Sequence, residues 1–89
     1  MLDHDLRFVS VNDVMLRSLG KTRDEMIGRG YLEVYPQSVG SEVHQALERA
    51  LRSMAPEKRR LHSQALGRAL EMEIFPVAGG LQVAFSLAG

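Results

Sequence analysis

Eighty-nine residues make one small domain, able to bury only about 60 to 65 per cent of its unfolded surface, and 45% hydrophobic with 25% charged residues and 3 prolines describe a folded chain rather than a disordered tail. Eleven basic residues balance 11 acidic ones for a formal net charge of +0, so no long-range field draws the chain onto nucleic acid or an anionic membrane. The absence of cysteine excludes disulfides, thiolate catalysis and cysteine metal sites, and fits a reducing cytoplasm.

Asp3-His4-Asp5 is a turn cluster, followed by Leu6-Arg7-Phe8-Val9-Ser10-Val11, a β-rich run of strand length. Asn12 is placed to cap a short helix with Met15, Leu16 and Leu19 on one side and Gly20 at its end. Thr22 and Glu25 form a Thr-x-x-Glu capping box, so Met26-Ile27 belong to a second helical turn that stops at Gly28. Tyr31 to Tyr35 is a single turn or an extended piece, ended by Pro36. From Ser41, the spacing of Val43, Leu47, Ala50, Leu51 and Met54 predicts the longest helix, with Glu42 at its positive end, Glu48 and Arg52 as an i,i+4 pair, and Pro56 as the stop.

The last third changes period from 3.6 to 2. Glu57 to Ala65 reads as a strand, joined through Leu66-Gly67-Arg68 to a second in which Leu70, Met72 and Ile74 alternate with Glu71, Glu73 and Phe75. After Pro76 and the turn Ala78-Gly79-Gly80, Leu81, Val83, Phe85 and Leu87 alternate with Gln82, Ala84, Ser86 and Ala88. The result is a three-stranded antiparallel meander with one apolar face. The run Leu81 to Ala88 is far short of the roughly 20 residues of a membrane helix, and Met1 to Asp5 holds no signal-peptide core, so a cytoplasmic location without membrane insertion is expected.

This order of elements resembles that of PAS domains, the sensory modules of bacterial signalling proteins. Leu2-Asp3 through Phe8-Val9-Ser10-Val11-Asn12 is similar to the opening of that family, Leu19-Gly20 through Ile27-Gly28-Arg29 to its middle, and Glu71-Met72-Glu73-Ile74-Phe75-Pro76 with Gly79-Gly80-Leu81 to its closing hairpin. The resemblance covers nearly the whole chain and implies a single domain over residues 1–89, of α+β class, with an antiparallel sheet carrying short helices and one longer helix on one face. It also implies a strand before the acidic turn, lying centrally in the sheet. Only Met1-Leu2 stand there, so either the chain is a fragment or a partner chain completes the sheet. At the other end, Ser86-Leu87-Ala88-Gly89 replaces the Asp-Ile-Thr with which many relatives lead into an effector helix, which leaves the coupling unread.

The residues offer no catalytic constellation, and the chain is expected not to be an enzyme. Ser41, Ser63 and Ser86 lack patterned His and Asp partners, Glu71 and Glu73 fall on the polar sheet face, and the Gly-rich pieces lack a phosphate-loop lysine. His4, His44 and His62 are not spaced as a metal cluster. The basic run Lys58-Arg59-Arg60 lacks flanking aromatics and reads as a solvated strand face rather than a nucleic-acid site.

The family resemblance supplies the functional expectation: a module that mediates dimerisation and relays a signal to an output domain such as a kinase or cyclase, its contact surface being the outer sheet face with Phe75, Ala84 and Ala88. The alternative is a receptor for haem or another small molecule, with Phe8, Met15, Leu16, Met26, Ile27, Leu47, Leu51, Met72, Ile74, Val83 and Phe85 as candidate pocket lining. Some relatives ligate haem through a His on the long helix. Here that position falls on Val43, one residue from His44, which leaves His44 a weak candidate. The flavin-adduct chemistry of light-sensing relatives needs a cysteine and is excluded; no cofactor is expected.

Overall fold

The computed structural model describes residues 1–63 and 67–87. In chain order it comprises β1 (Leu2–Asp3), α1 (Asp13–Leu19), α2 (Arg23–Met26), α3 (Tyr31–Val34), a 3-10 turn (Pro36–Ser38), α4 (Glu42–Ser53), β2 (Glu57–Ser63), β3 (Arg68–Val77) and β4 (Gly80–Leu87). The strands form one antiparallel sheet of order β1-β4-β3-β2. The expected α+β architecture, with helices on one face of an antiparallel meander, is the observed one. Gln64, Ala65, Leu66 and Ala88, named above in a strand, its connection and a contact surface, lie outside the described residues.

The local signals act where the sequence places them. Asn12 Oδ1 accepts the Met15 N–H at 2.7 Å, and Glu25 Oε1 accepts the Thr22 N–H at 3.0 Å to complete the capping box. Ser41 Oγ accepts the His44 N–H at 3.2 Å to start α4. The apolar stripe of that helix, Val43, Ala46, Leu47 and Ala50, is buried with Met72, Ile74 and Leu81 from the inner sheet face in one core. Full burial stabilises each large aliphatic member by roughly 1.5–3 kcal/mol.

Three expectations need correction. The run Leu6 to Val11 is not a ladder strand: Leu6 takes φ +58 at the end of a tight turn, and only isolated bridges follow, Leu2 to Phe8, Arg7 to Gly30 and Phe8 to Ile27. The turn is held by Asp3, whose Oδ1 accepts the N–H groups of Asp5 and Arg7 at 2.9 Å each. β-propensity is overridden here by a local carboxylate that satisfies two backbone donors. Secondly, β3 does not end at Pro76 but runs through it to Val77. β2 stops opposite Ile74, so β3 is a local edge at Pro76, where a missing N–H leaves no ladder bond unmade. Thirdly, Glu48 turns to His44 Nε2 at 3.0 Å instead of pairing with Arg52.

β1 is only two residues long, yet it lies between other segments, since Leu2 pairs with Leu81 on one side and bridges to Phe8 on the other. Gly80 makes this approach feasible: a Cβ there would stand 1.9 Å from the Leu2 carbonyl oxygen. Beyond Leu81, the outer edge of β4 has no paired strand among the described residues.

Candidate functional site

Between the sheet, α1, α3 and α4 lies an apolar cavity of about 70 Å³. Its floor is the inner sheet face, with Leu70 and Met72 from β3 and Val83 and Phe85 from β4. Met15 and Leu19, one turn apart on α1, form one wall, and Val43 and Leu47, likewise one turn apart on α4, form another. Met1, Leu2, Phe8, Ser63, Tyr31 and Tyr35 complete the lining. No Lys, Arg, His, Asp or Glu side chain is among these lining residues.

Of the residues named from sequence, Phe8, Met15, Leu47, Met72, Val83 and Phe85 come together here. The others do not. Met26 and Ile74, at 0% and 1% exposure, are sealed into the packed core. Leu16 is rotated about 100° from Met15 around α1 and packs on the core away from the cavity. Ile27 is 40% exposed, because the chain leaves α2 in extended conformation at this residue. Leu51 borders a separate surface hollow with His4, Asp5, Leu6, Glu48 and Arg52.

Sequence reasoning missed Tyr31 and Tyr35. They stand four residues apart with ring centroids at 6.0 Å, and Tyr31 also meets Phe8 at 6.4 Å. Reading Tyr31 to Val34 as a helical turn would have put both rings on one side. The two hydroxyls are treated differently. Burial raises the Tyr31 hydroxyl pKa, and the nearby Ser38 and Ser41 hydroxyls oppose the shift. No contact of hydrogen-bond quality closes on Ser38 Oγ, nor on the Tyr35 hydroxyl. Burial, with Tyr31 and Glu25 adding to it, pushes Tyr35 up to about 12.

His44 does not line the cavity. Its Nδ1 accepts the Gly40 N–H at 3.0 Å, and its Nε2 faces Glu48 at 3.0 Å, so both ring nitrogens are occupied on the outside of α4. Iron ligation would require breaking both contacts and turning the helix. Among the described residues no three His, Asp or Glu side chains are grouped as a metal set.

The outer sheet face has two halves. Toward β2 it is charged: Lys58 pairs with Glu73 at 3.9 Å, and Arg60 stands opposite Glu71. Arg59 turns to the other side of the strand and reaches Glu57 at 2.6 Å. Toward β4 the outer face carries Phe75, 44% exposed, beside Gln82, Ala84 and Ser86.

A cavity bounded by an antiparallel sheet on one side and a set of short helices plus one long helix on the other defines the class as an α+β domain. The family model described as PAS fold matches residues 1–86, and the chain belongs to that family. None of the curated proteins compared matches it. Among the described residues, no helix is long and apolar enough to cross a membrane.

Proposed function

We propose that this chain is a sensory and protein-interaction module of a cytoplasmic bacterial signalling protein, not itself catalytic, which forms a homodimer and relays conformational bias to an output domain of kinase or cyclase type. Membership of the PAS family supports the sensory role. The observation that carries the interaction role is the β4 side of the outer sheet face, where Phe75 is 44% exposed and Gln82, Ala84 and Ser86 bear no charge. A contiguous uncharged patch on an otherwise charge-studded sheet is the kind of surface that a second copy covers.

Light scattering on the peak eluting from size exclusion tests this. A dimer is expected, and Phe75→Lys is expected to shift it to monomer without unfolding, since the ring points away from the core. A monomer at every concentration would overturn the homodimer.

A second reading, favoured by the cavity itself, is a receptor for a small molecule. The space is lined by apolar side chains from the sheet, α1 and α4, together with two tyrosines. That combination is the usual make-up of a ligand site, an apolar wall with few polar groups to orient the guest. The two readings are compatible, because a guest that touches both α4 and the sheet can bias the face on the sheet's other side.

A further inference from the structure

The ring of His44 is held between two partners of opposite kind. Its Nδ1 accepts the Gly40 N–H at 3.0 Å, and its Nε2 stands 3.0 Å from Glu48 Oε1. A backbone N–H can only donate and a carboxylate can only accept, so the two contacts together admit one state of the ring: neutral, with its hydrogen on Nε2. A proton added at Nδ1 sets two donors against each other, and the Gly40 contact cannot survive it. The Glu48 contact survives and becomes an ion pair.

Gly40 lies in the connection from α3 to α4, between the 3-10 turn and the Ser41 cap. Its other side-chain tie to α4 is Gln45, whose Nε2 donates to the Gly40 carbonyl at 2.9 Å. The same connection carries Ser38 and Ser41, which act on the Tyr31 hydroxyl, and Tyr31 on α3 lines the cavity.

The charges around the ring leave Glu48 as its one ionic partner among the described residues. Residues 36–41 bear no charge. On the sheet side of α4, Glu42 is turned to the His62 N–H of β2 and Arg49 to Glu57. Beyond Glu48, in the surface hollow it lines, stand His4 and Asp5 from the turn after β1, with Arg52 of α4. His44 is the third residue of α4, where a cation also faces the positive end of the helix. Charging the ring therefore removes a bond from the connection while Glu48 keeps the ring on the helix.

We infer that His44 is a proton-operated latch on the α3–α4 connection: the neutral ring holds Gly40 against the start of α4, and the protonated ring releases it. The latch is closed above the pH at which the ring charges and open below it. It requires neither a bound guest nor a second copy.

The test is a titration of the isotope-labelled chain from about pH 8 to about pH 5, the span in which imidazoles change charge, following the ring nitrogens of His44 and the backbone amides. At the upper end, the ring is expected to carry its hydrogen on Nε2 alone. As the pH falls, the Gly40 amide is expected to shift with the midpoint of the His44 ring, and its exchange protection, corrected for the intrinsic rate, to drop about threefold to tenfold, the worth of one net hydrogen bond. Amides of the sheet, Ile74 among them, are expected to keep their protection. His44→Asn places an amide oxygen near the position of Nδ1 and cannot titrate, so Gly40 is expected to stay protected throughout. A Gly40 amide that ignores the ring's titration, or a neutral ring with its hydrogen on Nδ1, would overturn the latch. So would a loss of protection in Gly40 and Ile74 alike, which would mean that acid opens the whole domain. The midpoints in the unmodified chain decide the matter even if the variant fails to fold.

Discussion

The two sides of the sheet's helical face are built to different standards. On the β2 side, α4 is fastened at both ends: Glu42 Oε2 accepts the His62 N–H at 2.9 Å, and Arg49 grips Glu57 through Nε and Nη2 at 2.9–3.1 Å while Arg59 reaches the same carboxylate. The core between them is tight, with Ala46, Ala50 and Ile74 at 1% exposure or less. On the β4 side, α1 has no fully buried residue, β1 covers only the first two positions of β4, and both contribute to the lining of the cavity. Close packing and a partly buried carboxylate clamp hold one half; α1 in the other is held by its cap, an exposed Arg23–Asp13 pair at 3.0 Å and partly buried methionine and leucine. The loosely filled half is where a guest or a partner can alter the structure at least energetic cost, because fewer native contacts must be exchanged.

Mutations on the two sides should separate by size. The largest effect is expected from Ile74→Ala in the tight half: truncating a side chain 1% exposed removes buried methyl groups and leaves a void, costing about 3 kcal/mol in denaturant-induced unfolding. A cost close to that of an exposed site would show that the core beside α4 is not close-packed.

Next in size is Glu57→Gln, expected to cost about 1–2 kcal/mol through weakened charge-assisted bonds to Arg49 and Arg59. It should also change the acid limb of the stability profile. The Arg49 guanidinium above all, with Arg59 assisting, holds the Glu57 carboxyl below the usual carboxylate value. Stability from this group is therefore fully present above the unfolded carboxylate pKa and is lost as pH falls through the lower folded value. Asp3 and Glu25 are lowered too, by hydrogen bonds from the Arg7 and Thr22 N–H groups, so the variant should flatten the acid-side decline without abolishing it. An unchanged slope in urea midpoints measured across acid pH would show that the clamp does not hold in solution.

The smallest effect is expected in the open half. Asn12→Ala removes the cap of α1 and should cost about 1 kcal/mol or less. Amide hydrogen exchange should then rise in α1 while staying unchanged in α4. Equal acceleration in both helices would dissolve the contrast, since it would mean that the two sides open as one unit.

The sequence was explicit wherever the determining interaction is local. Asn12, Thr22 with Glu25, and Ser41 each announce a helix start because a short polar side chain three residues from an unmatched N–H can satisfy it without help from elsewhere. The period of two in Leu70 to Leu87 likewise dictates a hairpin with one apolar face, and the order of these signals carries the family. Whether an apolar residue borders the cavity or fills the core was not legible, since Met15 and Met26 have the same chemistry and differ in what stands opposite them. Nor was the clamp of Glu57 to Arg49, eight residues apart, or the reach of Glu42 to His62 across twenty. Those choices belong to the tertiary structure: α4 had to be laid across the sheet before its charges could find β2, and only packing decided which apolar side chains line the cavity.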